Sequence, residues 1–330
     1  MERPEILMPA PMPAGVIDAL DARFVLHRLW EKADPNAFLA SAGARVRGMA
    51  VSSLAGRIDA AMFDRLPSLE IVANFGVGYD KVDAVGAAAR GIVVTNTPGV
   101  LDEEVADLAL GLLLATIRCI PQAERHAREG RWPAGSFPLS PTLRGRTVGI
   151  LGLGAIGKAI ARRLEGFDVP IAYHGRSRQA QIRYDYHASP VALAAACDVL
   201  IVVVPGGAAT RHLVDAEVLD ALGPQGVLIN VARGSVVDES ALVTALQSGT
   251  IWGAGLDVFE NEPNIPEVLL AMPSVVTLPH IGSASVDTRA AMGQLVVDNL
   301  IGWFDGRGAI SPVGDFPASP SGSSGQSLPG

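Results

Sequence analysis

The chain has only two cysteines in 330 residues, Cys119 and Cys197, each inside an apolar stretch and without partner spacing. That scarcity argues against a disulfide framework and against a zinc motif, so no metal is expected. Both thiols read as small core residues of a reduced, intracellular protein. A basic excess is also missing. The formal charge is −8 and the isoelectric point near 5.3, which excludes a broad nucleic-acid surface and leaves any anionic ligand to be held by a local site. Long apolar runs are missing too. The most apolar stretches, 108–117 and 199–204, fall short of the ~20 residues that cross a bilayer, and Met1-Glu2-Arg3-Pro4-Glu5 lacks the apolar core of a signal peptide. No membrane contact and a cytoplasmic location are the expectation. No internal repeat interrupts the chain beyond an alternation of strand-like and helix-like segments.

The composition is 49% hydrophobic and 18% charged, suited to a globular protein with a large core, and the length favours two domains. Over residues 1–97, apolar runs at 5–8, 24–27, 46–51, 69–73 and 92–95 read as strands, with helices at 13–20, 36–42, 60–65 and 82–90. Strands without strict alternation, separated by helices, predict a parallel sheet covered on both faces. Thr97-Pro98-Gly99 breaks this pattern, and Asp102-Glu103-Glu104 places negative charge where a long helix, 105 to about 120, begins. A second domain is expected over 98–285. It has a Gly-, Pro- and aromatic-rich loop at 129–146, strands at 147–151, 170–173, 199–204, 227–231, 253–258 and 275–277, and helices at 190–196, 216–222 and 239–248. A last helix, 286–304, with Ala290, Leu295, Asn299 and Trp303 near one stripe and Met292, Val296 and Leu300 beside it, is expected to return to the first domain over 286–314. Residues 315–330 read as a flexible tail.

The stretch that organises the second domain is Gly152-Leu153-Gly154-Ala155-Ile156-Gly157, set between the apolar run 147–151 and a helix. This is the dinucleotide fingerprint in its proper setting. Gly152 makes the turn, Gly154 admits the phosphates to the backbone and Gly157 lets the helix pack on its strand, while the helix N-terminus at Ala155 and Ile156 faces the pyrophosphate. An acid is expected about 20 residues further on to hold the ribose of NAD. None stands there: the second strand runs into His174-Gly175-Arg176-Ser177-Arg178, and the next carboxylate is Asp185. Two arginines around a serine suit a 2′-phosphate, so NADPH is the expected coenzyme and NADH the alternative.

Three further segments lie where strands of the second sheet should end: Asn230-Val231-Ala232-Arg233-Gly234, Asp257 to Pro263, and Pro279-His280-Ile281-Gly282-Ser283. With the glycine turn and Asn74 to Asp80, they make the chain resemble the D-isomer-specific 2-hydroxyacid dehydrogenases, in the branch of glyoxylate/hydroxypyruvate and hydroxyphenylpyruvate reductases. The resemblance covers residues 1 to about 314. It implies an α/β architecture of two doubly wound parallel sheets, a flavodoxin-like substrate domain and a Rossmann cofactor domain, with the active site in the cleft. It also implies a catalytic trio of Arg233, Glu262 and His280. A guanidinium fork clamps and polarises a 2-oxoacid, an imidazolium protonates the oxygen at C2, and a carboxylate beside it favours the charged ring and fixes its tautomer. The related formate dehydrogenases, which move a hydride without that proton, carry Gln at the position of Glu262.

By the same resemblance, Val77 and Gly78 N–H groups hold the substrate carboxylate, and Ser53 and Leu54 line the pocket. Thr210, Val231, Ala232, Asp257, His280, Gly282 and Ser283 lie along the coenzyme, and Trp132 reaches the neighbouring subunit's pocket in a homodimer. The implied reaction is NADPH-dependent reduction of glyoxylate and hydroxypyruvate to D-2-hydroxyacids. The alternatives are NAD-dependent oxidation of another D-hydroxyacid and a non-catalytic nucleotide-sensing scaffold, the latter disfavoured by the acidic surface. His27, His126, His174, His187 and His212 read as structural.

Overall fold

The computed structural model describes residues 3–314, so the tail expected at 315–330 lies outside the described residues. The chain forms two compact units, one comprising the chain to Leu101 and from Val286 onward, the other Asp102–Ser285.

The first unit holds strands β1 (Glu5–Met8), β2 (Val25–Arg28), β3 (Val46–Val51), β4 (Ile71–Asn74) and β5 (Val93–Thr95), paired in the order β2-β1-β3-β4-β5 with every pair parallel. This is the flavodoxin-like order, with its reversal between β1 and β3. Aspartates start the covering helices. Asp34 accepts from the N–H groups of Asn36 and Ala37 ahead of Pro35, and Asp59 and Asp83 cap the helices Ala60–Phe63 and Ala84–Ala88. The helix Val286–Phe304 seals this unit. Gly293 is required because a Cβ there would lie 2.4 Å from a Val16 methyl, and Trp303 Nε1 donates to Glu70 Oε2 at 2.9 Å. Its buried stripe runs through Met292, Val296, Val297, Asn299, Leu300 and Trp303, whereas Ala290 is exposed and Leu295 only half-buried. The stripe read from sequence therefore holds at Met292, Val296, Asn299, Leu300 and Trp303 and fails at Ala290 and Leu295. Asn299 can be buried because its amide donates to Leu295 O and accepts from the Ile310 and Ser311 N–H groups, fixing the chain beyond the helix.

The second unit holds β6 (Val148–Leu151), β7 (Ile171–His174), β8 (Asp185–Tyr186), β9 (Val199–Val202), β10 (Val227–Asn230), β11 (Gly253–Leu256) and β12 (Val275–Thr277). The order is β12-β11-β10-β9-β6-β7-β8, again wholly parallel, with the strand order reversing between β6 and β9. Two elements were not expected. β8 is a two-residue edge strand, too short and exposed for a pattern, and Glu267–Ala271 is a single helical stretch before β12. The long helix also differs. It begins at Asp102 and stops at Ile117, because Pro121 has no N–H and its ring would clash with the Ile117 carbonyl. Cys119 takes the left-handed conformation, φ 50°, and a separate helix runs Ile120–Arg128. Cys197 packs on β6, where a Cβ on Gly149 would sit 2.7 Å from its sulfur, and burial pushes its thiol up to about 12. No helix of the described residues is long and apolar enough to cross a membrane.

Candidate active site

Because the seven-stranded sheet is parallel, the segments after β6, β7, β9, β10, β11 and β12 all emerge at its carboxyl edge, the edge where open α/β sheets bind ligands. The glycine turn follows β6, and each glycine has a distinct cause. Gly152 has φ +108°, and a Cβ there would press at 2.9 Å on the Val203 carbonyl beyond β9, across the point of reversal. A Cβ on Gly157 would lie 2.1 Å from the Gly152 carbonyl, so the helix Ala155–Glu165 can approach the turn only without a side chain. Gly154 has neither constraint: its φ is −79° and nothing lies within 4 Å of where its Cβ would be. Its protein surroundings would tolerate a side chain, whereas an approaching pyrophosphate would not. A dinucleotide therefore fits this turn.

The loop after β7 is pinned beside that turn. Gln179 Nε2 donates to Leu153 O at 2.9 Å, and the Gln179 N–H donates to the hydroxyl of buried Tyr173 at 2.8 Å. Between these anchors and β7, Arg176, Ser177 and Arg178 are exposed, and among the described residues neither guanidinium has a carboxylate partner in an ion pair. After β9, Thr210 Oγ1 donates to Pro205 O at 2.6 Å, closing the short turn Ala208–Thr210.

The turn after β10 is built by Asn230. Its Oδ1 accepts from Ala232 N–H at 3.0 Å and its Nδ2 donates to Arg233 O at 3.1 Å, which aligns Val231, Ala232 and Arg233 along the edge. Arg233 Nη1 donates to Ala232 O at 2.7 Å. Gly234 then lets this turn rest on the loop after β11, since a Cβ would fall 1.9 Å from the carbonyl carbon of Phe259. That contact brings the segments bearing Arg233 and Glu262 together.

Asp257 is buried, and its two oxygens accept from Ile281 N–H at 2.7 Å and Gly282 N–H at 2.8 Å, while its carbonyl accepts from His280 N–H at 2.9 Å. It therefore fixes the segment carrying His280, Gly282 and Ser283, a role the sequence did not announce. Burial pushes the Asp257 carboxyl up despite those N–H groups and the charge of His280. His280 has φ 54°, and its Nδ1 lies 2.8 Å from Glu262 Oε2, with Glu262 Oε1 accepting from Phe259 N–H at 3.2 Å. Burial raises the Glu262 carboxyl, but the His280 hydrogen bond and charge, the Phe259 N–H and the charge of Arg233 together hold it below its ordinary value. The His280 side chain is 39% exposed, enough to exchange protons with water. A His–Glu contact is not by itself diagnostic. His27 and Glu5, and His212 and Glu260, are each 2.6 Å apart. His212 and Glu260 follow β9 and β11 at this same edge, so what sets His280 apart is that the charge of Arg233 acts on its partner Glu262.

Trp132 stands 70% exposed on the arm between the helix Ile120–Arg128 and β6. Among the described residues there is no cluster of side chains suited to a metal.

In the first unit, a cavity of about 400 Å³ is lined by Ser53 and Leu54 together with Pro11, Met12, Pro13, Ser52, Phe75 and Arg289. Val77 and Gly78 lie outside this lining, on the loop after β4, and two amides orient them. Asn74 Nδ2 donates to Gly76 O at 3.0 Å and Asn96 Nδ2 to Val77 O at 2.8 Å. In a trans peptide the N–H points opposite the carbonyl, so the Val77 N–H is turned away from Asn74 and the Gly78 N–H away from Asn96. Sequence reasoning missed Asn74, Asn96, Gln179, Asn230 and Arg289. For the asparagines, the available signal was an amide at a strand end just before a glycine-containing turn.

The family model for the D-isomer specific 2-hydroxyacid dehydrogenase, NAD binding domain, matches residues 110–282. The chain is 47% identical over 313 residues to a hydroxyphenylpyruvate reductase of Plectranthus scutellarioides, covering 95% of this chain and 100% of that one. It is 45% identical, with the same coverage, to a glyoxylate/hydroxypyruvate reductase of Arabidopsis thaliana. An NADPH-dependent glyoxylate/hydroxypyruvate reductase of Sinorhizobium meliloti, solved with NADP and malonate, superposes with a TM-score of 0.92 at 58% identity, covering 98% of this chain and 100% of that one.

Proposed function

This chain belongs to the D-isomer-specific 2-hydroxyacid dehydrogenase family and is an NAD(P)-dependent oxidoreductase; we propose that it reduces glyoxylate and hydroxypyruvate to D-2-hydroxyacids with NADPH. The observation that carries this reading is the Glu262–His280 pair beside Arg233, at the same sheet edge as a glycine turn whose open position, Gly154, suits a pyrophosphate.

Arg233 engages the substrate carboxylate and carbonyl with its planar fork. His280, held at Nδ1 by ionised Glu262, presents Nε2 as the proton donor to the oxygen at C2. When bound, the reduced nicotinamide supplies the hydride that C2 takes up. The proton from Nε2 balances that hydride, leaving a hydroxyl and a neutral imidazole whose remaining proton stays on Nδ1 against Glu262, and the exposed ring regains its proton from water. Val77 and Gly78 N–H groups receive the substrate carboxylate, and Ser53 and Leu54 bound its pocket. Arg176, Ser177 and Arg178 hold the 2′-phosphate, with Gln179 keeping their loop at the glycine turn. Thr210, Val231, Ala232, Asp257, Gly282 and Ser283 line the coenzyme's path.

We place the protein in the cytoplasm as a homodimer, with exposed Trp132 on the arm that meets the second subunit. The scaffold alternative loses its ground because the relatives named as reductases are matched over their full length. The test is a panel of initial rates with NADPH or NADH against glyoxylate, hydroxypyruvate and pyruvate. Faster consumption of NADPH than of NADH with the first two acids is expected. Consumption of neither coenzyme would refute the reading.

A further inference from the structure

We propose that Arg289 is a specificity-determining residue that reads what C3 of the substrate carries, selecting 2-oxoacids with a hydroxyl or carboxylate there over those in which C3 is a plain alkyl carbon, as in pyruvate. This rests on the reading that Ser53 and Leu54 border the substrate pocket. The cavity of about 400 Å³ that they line opens to solvent and exceeds glyoxylate, which has no C3, so it has room for an acid with a substituent there. Its wall is mostly apolar, from Pro11, Met12, Pro13, Leu54 and Phe75, and Arg289 is the one charged residue among the eight that line it. Ser52 Oγ already donates to Pro11 O at 3.1 Å, so it serves the wall.

The guanidinium carbon of Arg289 lies 5.5 Å from the centroid of the Phe75 ring, itself buried. Stacking on a rigid ring orients the planar fork while leaving its N–H edge able to bond. Arg289 has other engagement within the protein, and a fork of five donors can hold a ligand as well. A cation in an apolar wall penalises an alkyl group, which strips water from the guanidinium without replacing its hydrogen bond. A hydroxyl or carboxylate replaces that bond.

The experiment measures kcat/KM of the full chain and of Arg289→Leu and Arg289→Lys, with glyoxylate, hydroxypyruvate, oxaloacetate and pyruvate, alongside NADPH binding by fluorescence. A charge-assisted hydrogen bond corresponds to roughly a 10- to 100-fold effect. Arg289→Leu should lower the hydroxypyruvate-to-pyruvate and oxaloacetate-to-pyruvate ratios by about that factor, lose less on glyoxylate than on either polar acid, and keep NADPH binding. Arg289→Lys should recover part of each ratio. An equal loss on all four acids, or unchanged ratios, overturns the proposal while leaving the reductase reading intact. Absence of turnover of every acid by the unaltered chain overturns the reductase reading instead, and this proposal with it. If Arg289→Leu fails to fold, Arg289→Lys decides alone: reduced polar-to-alkyl ratios support the proposal and unchanged ratios refute it.

Discussion

The two sheets use their carboxyl edges differently. After β6 to β12, the seven-stranded sheet delivers side chains of strong chemistry, Arg233, Glu262 and His280, and a turn stripped of side chains at Gly152, Gly154 and Gly157. After β4 and β5, the five-stranded sheet delivers mostly backbone, with Asn74 and Asn96 holding the carbonyls of Gly76 and Val77 and so setting the direction of the N–H groups that follow them. One edge works by residue identity and the other by peptide orientation. The second kind is silent in a sequence, because every residue but proline carries an N–H.

Six substitutions, in five variants, would break or sharpen that contrast. The largest effect is expected at the basic loop. Changing Arg176 and Arg178 together to Ala should weaken NADPH by about 10²- to 10⁴-fold, since each of the two charge-assisted contacts is worth about 1.5–3 kcal/mol, while NADH changes little. Equal weakening of both coenzymes in a binding titration would remove the 2′-phosphate from the account. Next comes the glycine turn. Gly157→Ala drives a Cβ into the Gly152 carbonyl and should cost about 1–3 kcal/mol in thermal or denaturant unfolding, whereas Gly154→Ala should leave stability near unchanged and weaken NADPH binding. The opposite pattern would mean the roles of these glycines are misassigned.

At the other edge, Asn96→Ala releases the Val77 carbonyl and should raise KM for glyoxylate about tenfold, the scale of one lost hydrogen bond, with NADPH affinity kept. An unchanged KM would show that peptide orientation there is irrelevant to substrate. The smallest effect is a matter of pH. Glu262 is held below its ordinary value when folded, so its stabilisation is present above the unfolded carboxylate's pKa and is lost as pH falls through the folded one. Glu262→Gln should therefore lower the melting temperature slightly at neutral pH, by an amount that shrinks in acid, because the carboxylate is a third exposed. A deficit that grew in acid would reverse the sign of the argument.

How much of this could be read from residues alone follows the same division. Nearly all strands were legible, because a parallel sheet buried on both faces leaves unbroken Val, Ile and Leu runs such as Val199–Val202 and Val227–Asn230. Boundaries slipped where tertiary bonds decided them, as at β4, which ends on buried Asn74 rather than on Ala73. The break at Cys119 was written in Pro121 and overlooked. On Val286–Phe304 the sequence placed Asn299 on the buried stripe, but its partners Ile310 and Ser311 became visible only in the folded chain. At the site, the side chains Arg233, Glu262 and His280 stood out by type. Asp257 was visible as a residue but not as the carboxylate that seats the His280 segment through Ile281 and Gly282 N–H groups.

The central claim is that His280, held by Glu262, supplies the proton while the glycine turn holds the coenzyme independently. One preparation of His280→Gln, assayed both for NADPH binding and for glyoxylate-dependent NADPH oxidation, tests it most directly. General acid catalysis predicts that turnover falls by about 10²- to 10⁴-fold with NADPH affinity essentially unaltered. Turnover within a few-fold of the unaltered chain, or loss of NADPH binding in parallel with activity, would contradict it.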